Sequence, residues 1–344
     1  MEKPVRVLVV DDSRTIRALI RRSFNQYPDI VICGEAANPI EARDLIIQDQ
    51  PDVITLDVEM PGINGLQFLD KIMRLRPIPV VMVSSLTARG ADTAITALQM
   101  GAFECFPKPT SVVGTDAFAG LARLVIQAAQ SHPVARMERA IPTGGEDCQK
   151  SWAHHFDLVA IGASTGGVEA LEQVLSGFPA QSPPIVICQH MPPLFTASFA
   201  SRLDQKIASL SIREATDGEV LMRGAVRIAP GGAQHLVVER REGGYVTRLK
   251  HATPVNGHGP AVDVLFDSVA QQVGRNALGI ILTGMGRDGA ESLLAMRHAG
   301  AQTIAQDKAS SVVYGMPRVA AEIGAAGQIV ALSRVSAAAM ANPA

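Results

Sequence analysis

A chain of 344 residues, 47% hydrophobic and 19% charged, carries enough apolar material for about two cores and excludes a disordered chain. Its net charge of −2 offers nothing to nucleic acid or an anionic membrane surface, so neither is expected as a partner. The four cysteines, at 33, 105, 148 and 188, are scattered without a Cys-x-x-Cys pair, which argues against a zinc site or a disulfide framework and fits a reducing cytoplasm. A strand pattern begins at Val5 with no signal-peptide pattern before it, and no apolar run reaches membrane-spanning length; a cytoplasmic protein without direct membrane insertion is expected.

Through residues 1–130, strand-like runs alternate with helical spacing. Arg6–Val10, Ile30–Glu35, Val53–Leu56, Val80–Ser84 and Phe103–Cys105 read as strands. Thr15–Gln26, Pro39–Gln48, Leu66–Arg76, Asp92–Met100 and Ala117–Ala129 read as helices. That alternation predicts an α/β unit with a doubly wound, parallel, five-stranded sheet and a site at the carboxyl ends of its strands. Asp11 and Asp12 follow the first strand, Asp57 the third, Ser84 and Ser85 close the fourth, and Lys108 follows the fifth. Three carboxylates on one rim repel unless a cation joins them, and hard oxygen donors suit Mg²⁺. Lys108 and Ser84 supply a positive charge and a hydroxyl for phosphoryl oxygens. Taken singly, any of the aspartates reads as a helix cap or a solvated loop residue.

Val-Val-Asp-Asp-Ser (9–13), Leu-Asp-Val-Glu-Met-Pro-Gly (56–62), Val-Ser-Ser (83–85) and Pro-Lys-Pro (107–109) together resemble a two-component receiver domain. The resemblance implies that Asp57 takes a phosphoryl group from a histidine kinase. It also implies that Asp12, Asp57 and the Glu59 carbonyl hold Mg²⁺ directly, with Asp11 acting through water. Cys105 stands where the family commonly has an aromatic switch residue, with Phe106 beside it.

Periodicity fades over residues 131–155, where prolines, glycines and charges mix; this reads as an interdomain linker. Trp152 reads as an interface anchor, and His154 and His155 as solvated. A second α/β domain with a mostly parallel sheet is expected over residues 156–344. Its first strand, Leu158–Ile161, runs into Gly-Ala-Ser-Thr-Gly-Gly (162–167) and then a helix from about Val168. Ser164 thus sits at a sharp bend before a helix N-terminus, whose unpaired N–H groups favour negative charge. The stretch fits Gly-x-Ser-x-Gly, although a glycine-rich turn that packs a helix or cradles a phosphate reads equally well. Pro184–Cys188 is a further strand ending at His190, and Gly279–Leu282 leads into a glycine-rich turn that contains Asp288. Three strand ends on one rim can bring a serine, a histidine and an aspartate together as nucleophile, general base and orienting carboxylate. Competing candidates are His235, His258 and Asp263, and Asp288 also reads as a simple helix cap.

Gly-Ala-Ser-Thr-Gly-Gly, Gln-His-Met-Pro (189–192), Ile-Ala-Pro-Gly-Gly (228–232), Asn-Gly-His-Gly-Pro-Ala-Val-Asp-Val-Leu-Phe (256–266), Leu-Thr-Gly-Met-Gly-Arg-Asp-Gly-Ala (282–290) and residues 305–317 resemble the catalytic domain of the chemotaxis protein-glutamate methylesterases. The resemblance implies a Ser164–His190–Asp288 triad that needs no cofactor for the ester chemistry. It implies γ-glutamyl methyl esters on chemoreceptors as substrate, deamidation of certain receptor glutamines, and the chemotaxis histidine kinase as phosphodonor. It also implies that the unphosphorylated receiver limits access to the esterase. Backbone N–H groups of Thr165, from position, and Met285, from the resemblance, are the candidate oxyanion donors, and His235 and His258 become structural hydrogen-bonding groups. Arg287 stands where the family usually has Asn, and Ser292 where glycine is frequent. Two rival readings are weaker. A DNA-binding response regulator lacks a basic helix or a helix-turn-helix signal, and a dinucleotide enzyme lacks Gly-x-Gly-x-x-Gly spacing.

Overall fold

The apolar runs are buried on both faces, as parallel strands flanked by helices must be. The computed structural model describes residues 3–60, 64–85, 87–109, 117–131 and 156–341, and the chain divides into two units, Met1–Ile141 and Pro142–Ala344. In the first unit β1 (Val5–Val10), β2 (Ile30–Ala36), β3 (Val53–Asp57), β4 (Val80–Ser84) and β5 (Glu104–Pro107) form one parallel sheet in the order β2-β1-β3-β4-β5. Helices α1 (Arg14–Phe24), α2 (Pro39–Asp49), α3 (Gly65–Leu75), α4 (Ala88–Gln99) and α5 (Ala119–Gln130) follow the strands in turn. Ser13, Asn38, Asn64 and Thr87 each accept a backbone N–H at the start of α1 to α4, the task for which short polar residues are suited. Thr87 explains why α4 begins before the Asp92 expected from apolar spacing. The last strand lies later than Phe103–Cys105: β5 runs to Pro107, and Lys108 N–H then donates to Ser84 O at 2.7 Å. That register carries Lys108 to the rim where β3 ends.

The second unit contains β6 (Leu158–Ala163), α6 (Gly167–Ser176), β7 (Ile185–Gln189), α7 (Phe195–Lys206), β8 (Ser211–Glu214), β9 (Ala225–Ile228), β10 (Gln234–Arg241), β11 (Gly244–His251), α8 (Val262–Gln272), β12 (Ala277–Ile281), α9 (Ala290–His298), β13 (Gln302–Gln306), α10 (Met316–Glu322), β14 (Gln328–Val330) and α11 (Val335–Met340). Seven strands pair in the order β14-β13-β12-β6-β7-β9-β8, every neighbour parallel, while β10 and β11 form a separate antiparallel hairpin. The central strand β6 has β7 on one side and β12 on the other. The chain thus turns opposite ways across β6, which opens a crevice at the strands' carboxyl ends. Gly162 lets α8 lie against β6: a Cβ there would meet Val262 Cγ1 at 2.3 Å. Val262, Leu265 and Phe266 of α8 share one buried cluster with Leu158 and Ala160 of β6. The first turn of α8 consequently stands beside the end of β6. Beyond Ser131, the expected linker, with Trp152, His154 and His155, lies outside the described residues.

Candidate active site and phosphoacceptor pocket

The register of β6 and β7 pairs Ala163 with Gln189, so Ser164 and His190 leave neighbouring strands at the same level. Adjacent strands run about 4.8 Å apart. His190 N–H donates to Ala163 O at 3.1 Å, and Ser164 N–H donates to Thr283 O at 3.0 Å, just past β12. Three central strand ends are thereby stitched to one another. From the loop after β12, Asp288 brings Oδ2 to 2.8 Å from His190 Nε2. The other ring nitrogen, His190 Nδ1, is buried and has no hydrogen-bond partner among the described residues.

Asp288 is not the cap of its own helix, since Gly289 holds that position on α9. It caps α8 instead: its carboxylate accepts from Val262 N–H at 2.7 Å and Asp263 N–H at 3.2 Å. These are unpaired donors of a helix N-terminus, where the dipole favours a negative charge. Asn256 Nδ2 adds a contact at 3.4 Å. Burial pushes the Asp288 carboxyl up. The hydrogen bond and charge of His190, with the Val262 and Asp263 N–H groups, outweigh it and hold the group well below the usual carboxylate range. Asp288 is therefore an anion aimed at the imidazole, although only 1% exposed.

A buried polar mesh fixes the serine turn. Gln189 Nε2 donates to Ser164 O at 2.9 Å and His190 O at 3.1 Å. Thr283 Oγ donates to Thr165 O at 3.0 Å and accepts from Val313 N–H at 3.0 Å, while Thr283 N–H reaches Gln306 Oε1 at 2.7 Å. Gly166, the residue before α6, has φ +78°, and a Cβ there would meet Val312 Cβ at 2.6 Å, so only glycine fits. Gln189 and Gln306 each end an apolar strand, and that polar terminal position was the signal available in the sequence. Thr283→Val keeps the volume but strands a buried carbonyl and N–H, at a cost of about 1–3 kcal/mol. We expect the melting temperature to fall by roughly 3–10 °C with a several-fold loss of activity at this site; unchanged melting and activity would show that the mesh has no such role.

Other candidates separate cleanly. His235 is fully buried; its Nδ1 accepts from Ala261 N–H at 3.1 Å and its Nε2 meets Thr253 O at 3.3 Å, a structural use. His258 departs from that expectation, because its ring stacks on His190 with centroids 3.8 Å apart and planes 5° apart. Asp263 lies in the first turn of α8, where Ser292 Oγ donates to it at 2.6 Å and Asn256 Nδ2 at 2.8 Å. Its carboxyl is pushed up by burial and by Asp288, against the Ser292 bonds. Ser292 thus braces a half-buried carboxylate, and Arg287, just before α9, pairs with Glu291, not with Asp288. Thr165 is 4% exposed at the mouth of α6, whereas Met285 is 37% exposed.

In the first unit, Asp11, Asp12 and Asp57 each present a carboxylate oxygen, all within 4.8 Å of one another. Lys108 Nζ lies 2.8 Å from Asp57 Oδ2 and 3.0 Å from Asp11 Oδ2. Burial raises the Asp57 carboxyl to about 6, with Asp11 adding to the rise and Lys108 opposing it. Lys108 itself stands above the ordinary range, since Asp57 and Asp11 outweigh the lowering effect of burial. Three oxygen donors with one ammonium leave surplus negative charge, a donor set that fits a hard divalent cation. Glu59 N–H donates to Asp57 Oδ1 at 3.2 Å. Ser84 points elsewhere: its hydroxyl contacts Gly90 O at 3.3 Å and Ser85 O at 3.4 Å. Cys105 is buried, its thiol 3.5 Å from Ala94 O on α4.

An aspartate pocket on one doubly wound sheet, joined in one chain to a second α/β unit with a polar crevice, defines a response regulator carrying its own effector domain. A receiver-domain family model matches residues 7–113, and the CheB methylesterase family model matches residues 159–339. The chain belongs to the CheB methylesterase family. It is 54% identical to "Protein-glutamate methylesterase/protein-glutamine glutaminase 1" of Caulobacter vibrioides over 96% of this chain and 95% of that protein. It is 47% identical to a protein-glutamate methylesterase/protein-glutamine glutaminase of Bordetella bronchiseptica over 97% and 96% of the two chains. The second unit resembles the crystal structure of the Thermotoga maritima CheB methylesterase catalytic domain, with a TM-score of 0.52 and 36% identity over 54% of this chain and 97% of that one. Among the described residues, no helix is long and apolar enough to cross a membrane.

Proposed function

We propose that this chain is a phosphorylation-activated hydrolase that removes methyl groups from γ-glutamyl methyl esters of chemoreceptors in the cytoplasm and deamidates specific receptor glutamines by the same chemistry. The observation that carries the reading is the 2.8 Å contact of His190 Nε2 with an Asp288 anion, next to Ser164 on the adjoining strand end. With Nε2 occupied, His190 Nδ1 is the atom that takes the Ser164 Oγ proton. Oγ attacks the ester carbonyl carbon, and the oxyanion is met by backbone N–H groups at Thr165 and Met285. The tetrahedral adduct collapses, the carbon–methoxy bond breaks, and Nδ1 returns its proton to the leaving oxygen to give methanol. Water then attacks the acyl-serine with Nδ1 again as base, leaving a glutamate carboxylate and free Ser164. A glutamine side chain follows the same path with ammonia leaving. Methanol release from methylated receptor membranes by the purified full chain tests this substrate; no methanol above the enzyme-free rate contradicts it.

Asp57 is the phosphoryl acceptor, with the chemotaxis histidine kinase as donor. Asp12, Asp57 and the Glu59 carbonyl would hold Mg²⁺ directly, with Asp11 acting through water, and the ion when bound supplies charge neutralisation for the incoming phosphoryl oxygens. Lys108 pairs with the Asp57 carboxylate, and Ser84 has to rotate from Gly90 to reach a phosphoryl oxygen. Because the folded Asp57 carboxyl titrates near 6, above its unfolded value, its contribution to stability is full below about pH 4 and is lost as pH rises through 6. At neutral pH the pocket is a cluster of mutually repelling anions, and a cation relieves it. We expect MgCl₂ to raise the receiver's melting temperature at pH 7.5 and to lose most of that effect at pH 5. An equal shift at both pH values would contradict the pocket as the binding site.

A further inference from the structure

We propose that His258 is a positioning residue for the reaction: laid flat on His190, its ring holds that imidazole in the plane where Nε2 meets Asp288 and Nδ1 is left free to take the serine proton. This deepens the functional reading above and rests on it. The stacked geometry, 3.8 Å between centroids and 5° between planes, leaves no hydrogen bond between the two rings. His258 therefore acts through surface contact and does not compete for the carboxylate. His190 needs such a support. Among the described residues its side chain makes one hydrogen bond, at Nε2, and a single bond fixes one ring atom but not the tilt of the ring.

The segment that delivers His258 is built as a brace. Val255 and His258 exchange two backbone hydrogen bonds, at 3.0 and 2.9 Å, across Asn256 and Gly257. Both central residues are left-handed, with φ +53° and +81°, the conformation that an Asn-Gly pair suits. The buried His235 ring ties down both ends of the segment, at Thr253 O and Ala261 N–H. From the same turn Asn256 Nδ2 reaches Asp263 at 2.8 Å and Asp288 at 3.4 Å. One turn thus touches the carboxylate with Asn256 and the base with His258. Burial, with the charge of His190 added and Asp288 opposing, lowers the His258 imidazole to about 4, so the supporting ring is uncharged at neutral pH. A neutral flat ring steadies an imidazole that becomes positive during the reaction, and near-attack alignment is where such support acts on the rate.

The test uses the full chain, methylated receptor membranes, and saturating and sub-saturating substrate. His258→Ala is expected to lower kcat about tenfold while KM stays within twofold; His258→Phe, which restores a flat ring without a titrating group, recovers most of that loss. If His258→Ala melts below the assay temperature, His258→Gln replaces it. Wild-type kcat in the alanine or glutamine variant, a loss confined to KM, or a phenylalanine variant as slow as alanine while melting like wild type would each overturn the proposal. Ser164→Ala run in parallel keeps the two questions apart: activity there sinks the hydrolase reading itself, whereas a silent Ser164→Ala beside a fully active His258→Ala sinks only the role of His258.

Discussion

Alanine at position 164 is expected to abolish methanol release from methylated receptor, a loss on the order of 10⁴-fold or more in kcat, without unfolding the second unit. The side chain removed is one oxygen, and what it leaves intact is the point of the test. Among the described residues, the hydrogen bonds of Ser164 are made by its own backbone: its N–H to Thr283 O, its carbonyl to Gln189 Nε2 and to Gly167 N–H. The replacement therefore takes away the proposed nucleophile and little else. Melting within a few degrees of wild type, together with a silent enzyme, separates loss of chemistry from loss of structure. If the variant retained even a tenth of wild-type rate, the attacking group would have to be something other than this hydroxyl.

The second large effect is expected at Asp288. Asp288→Asn preserves size but exchanges an anion for a dipole with two donors, and an amide nitrogen cannot accept from the Nε2–H of His190. Either the ring adopts the wrong tautomer or the contact is lost, and a fall in kcat of roughly 10³–10⁴-fold follows. The substitution also weakens the cap of α8, since Val262 and Asp263 N–H groups donate to that carboxylate. Stability should drop by about 1–2 kcal/mol as well. Because the Asp288 carboxyl lies well below the ordinary range in the folded chain, the stability it contributes is present above the unfolded carboxyl value of about 3.9 and is lost only as pH falls through that lower folded value. The activity of Asp288→Asn should stay low from pH 6 to 9; recovery at high pH would show that the carboxylate is not needed to orient the ring.

The strand-to-turn positions were legible because they follow from alternation: a parallel sheet collects its polar strand ends on one rim, and Asp11, Asp57, Lys108, Ser164 and His190 each follow or end a short apolar run. The α/β class with a five-stranded parallel sheet came from the same pattern. What was hidden came from tertiary packing. Asp288 stands directly before a helix and reads as that helix's cap, yet Gly162 allows α8 to press on β6 and bring its own N-terminus to the carboxylate. Nothing local to position 288 reports a helix that begins at Val262. His258 lies in a glycine-rich stretch that suggests a turn, and the Asn-Gly pair does form one, but the ring it lands on lies 68 residues earlier in the chain. The β10–β11 hairpin left no two-residue Asn-Gly or Asp-Gly mark; its turn uses Glu242 and Gly243, with Gly243 at φ +85°. Ser84 was expected to offer its hydroxyl at the phosphoryl site; that hydroxyl contacts Gly90 O, a partner on α4 that nothing local to position 84 reports.

That one chain joins an aspartyl phosphate at Asp57 to ester hydrolysis at Ser164 is tested most directly by methanol release from methylated receptor membranes, with and without a small-molecule phosphodonor in MgCl₂. The wild-type chain is predicted to accelerate on adding the donor, Asp57→Ala to keep a basal rate that the donor does not change, and Ser164→Ala to stay silent in both conditions. Stimulation of Asp57→Ala equal to wild type, or methanol released by Ser164→Ala, would contradict it.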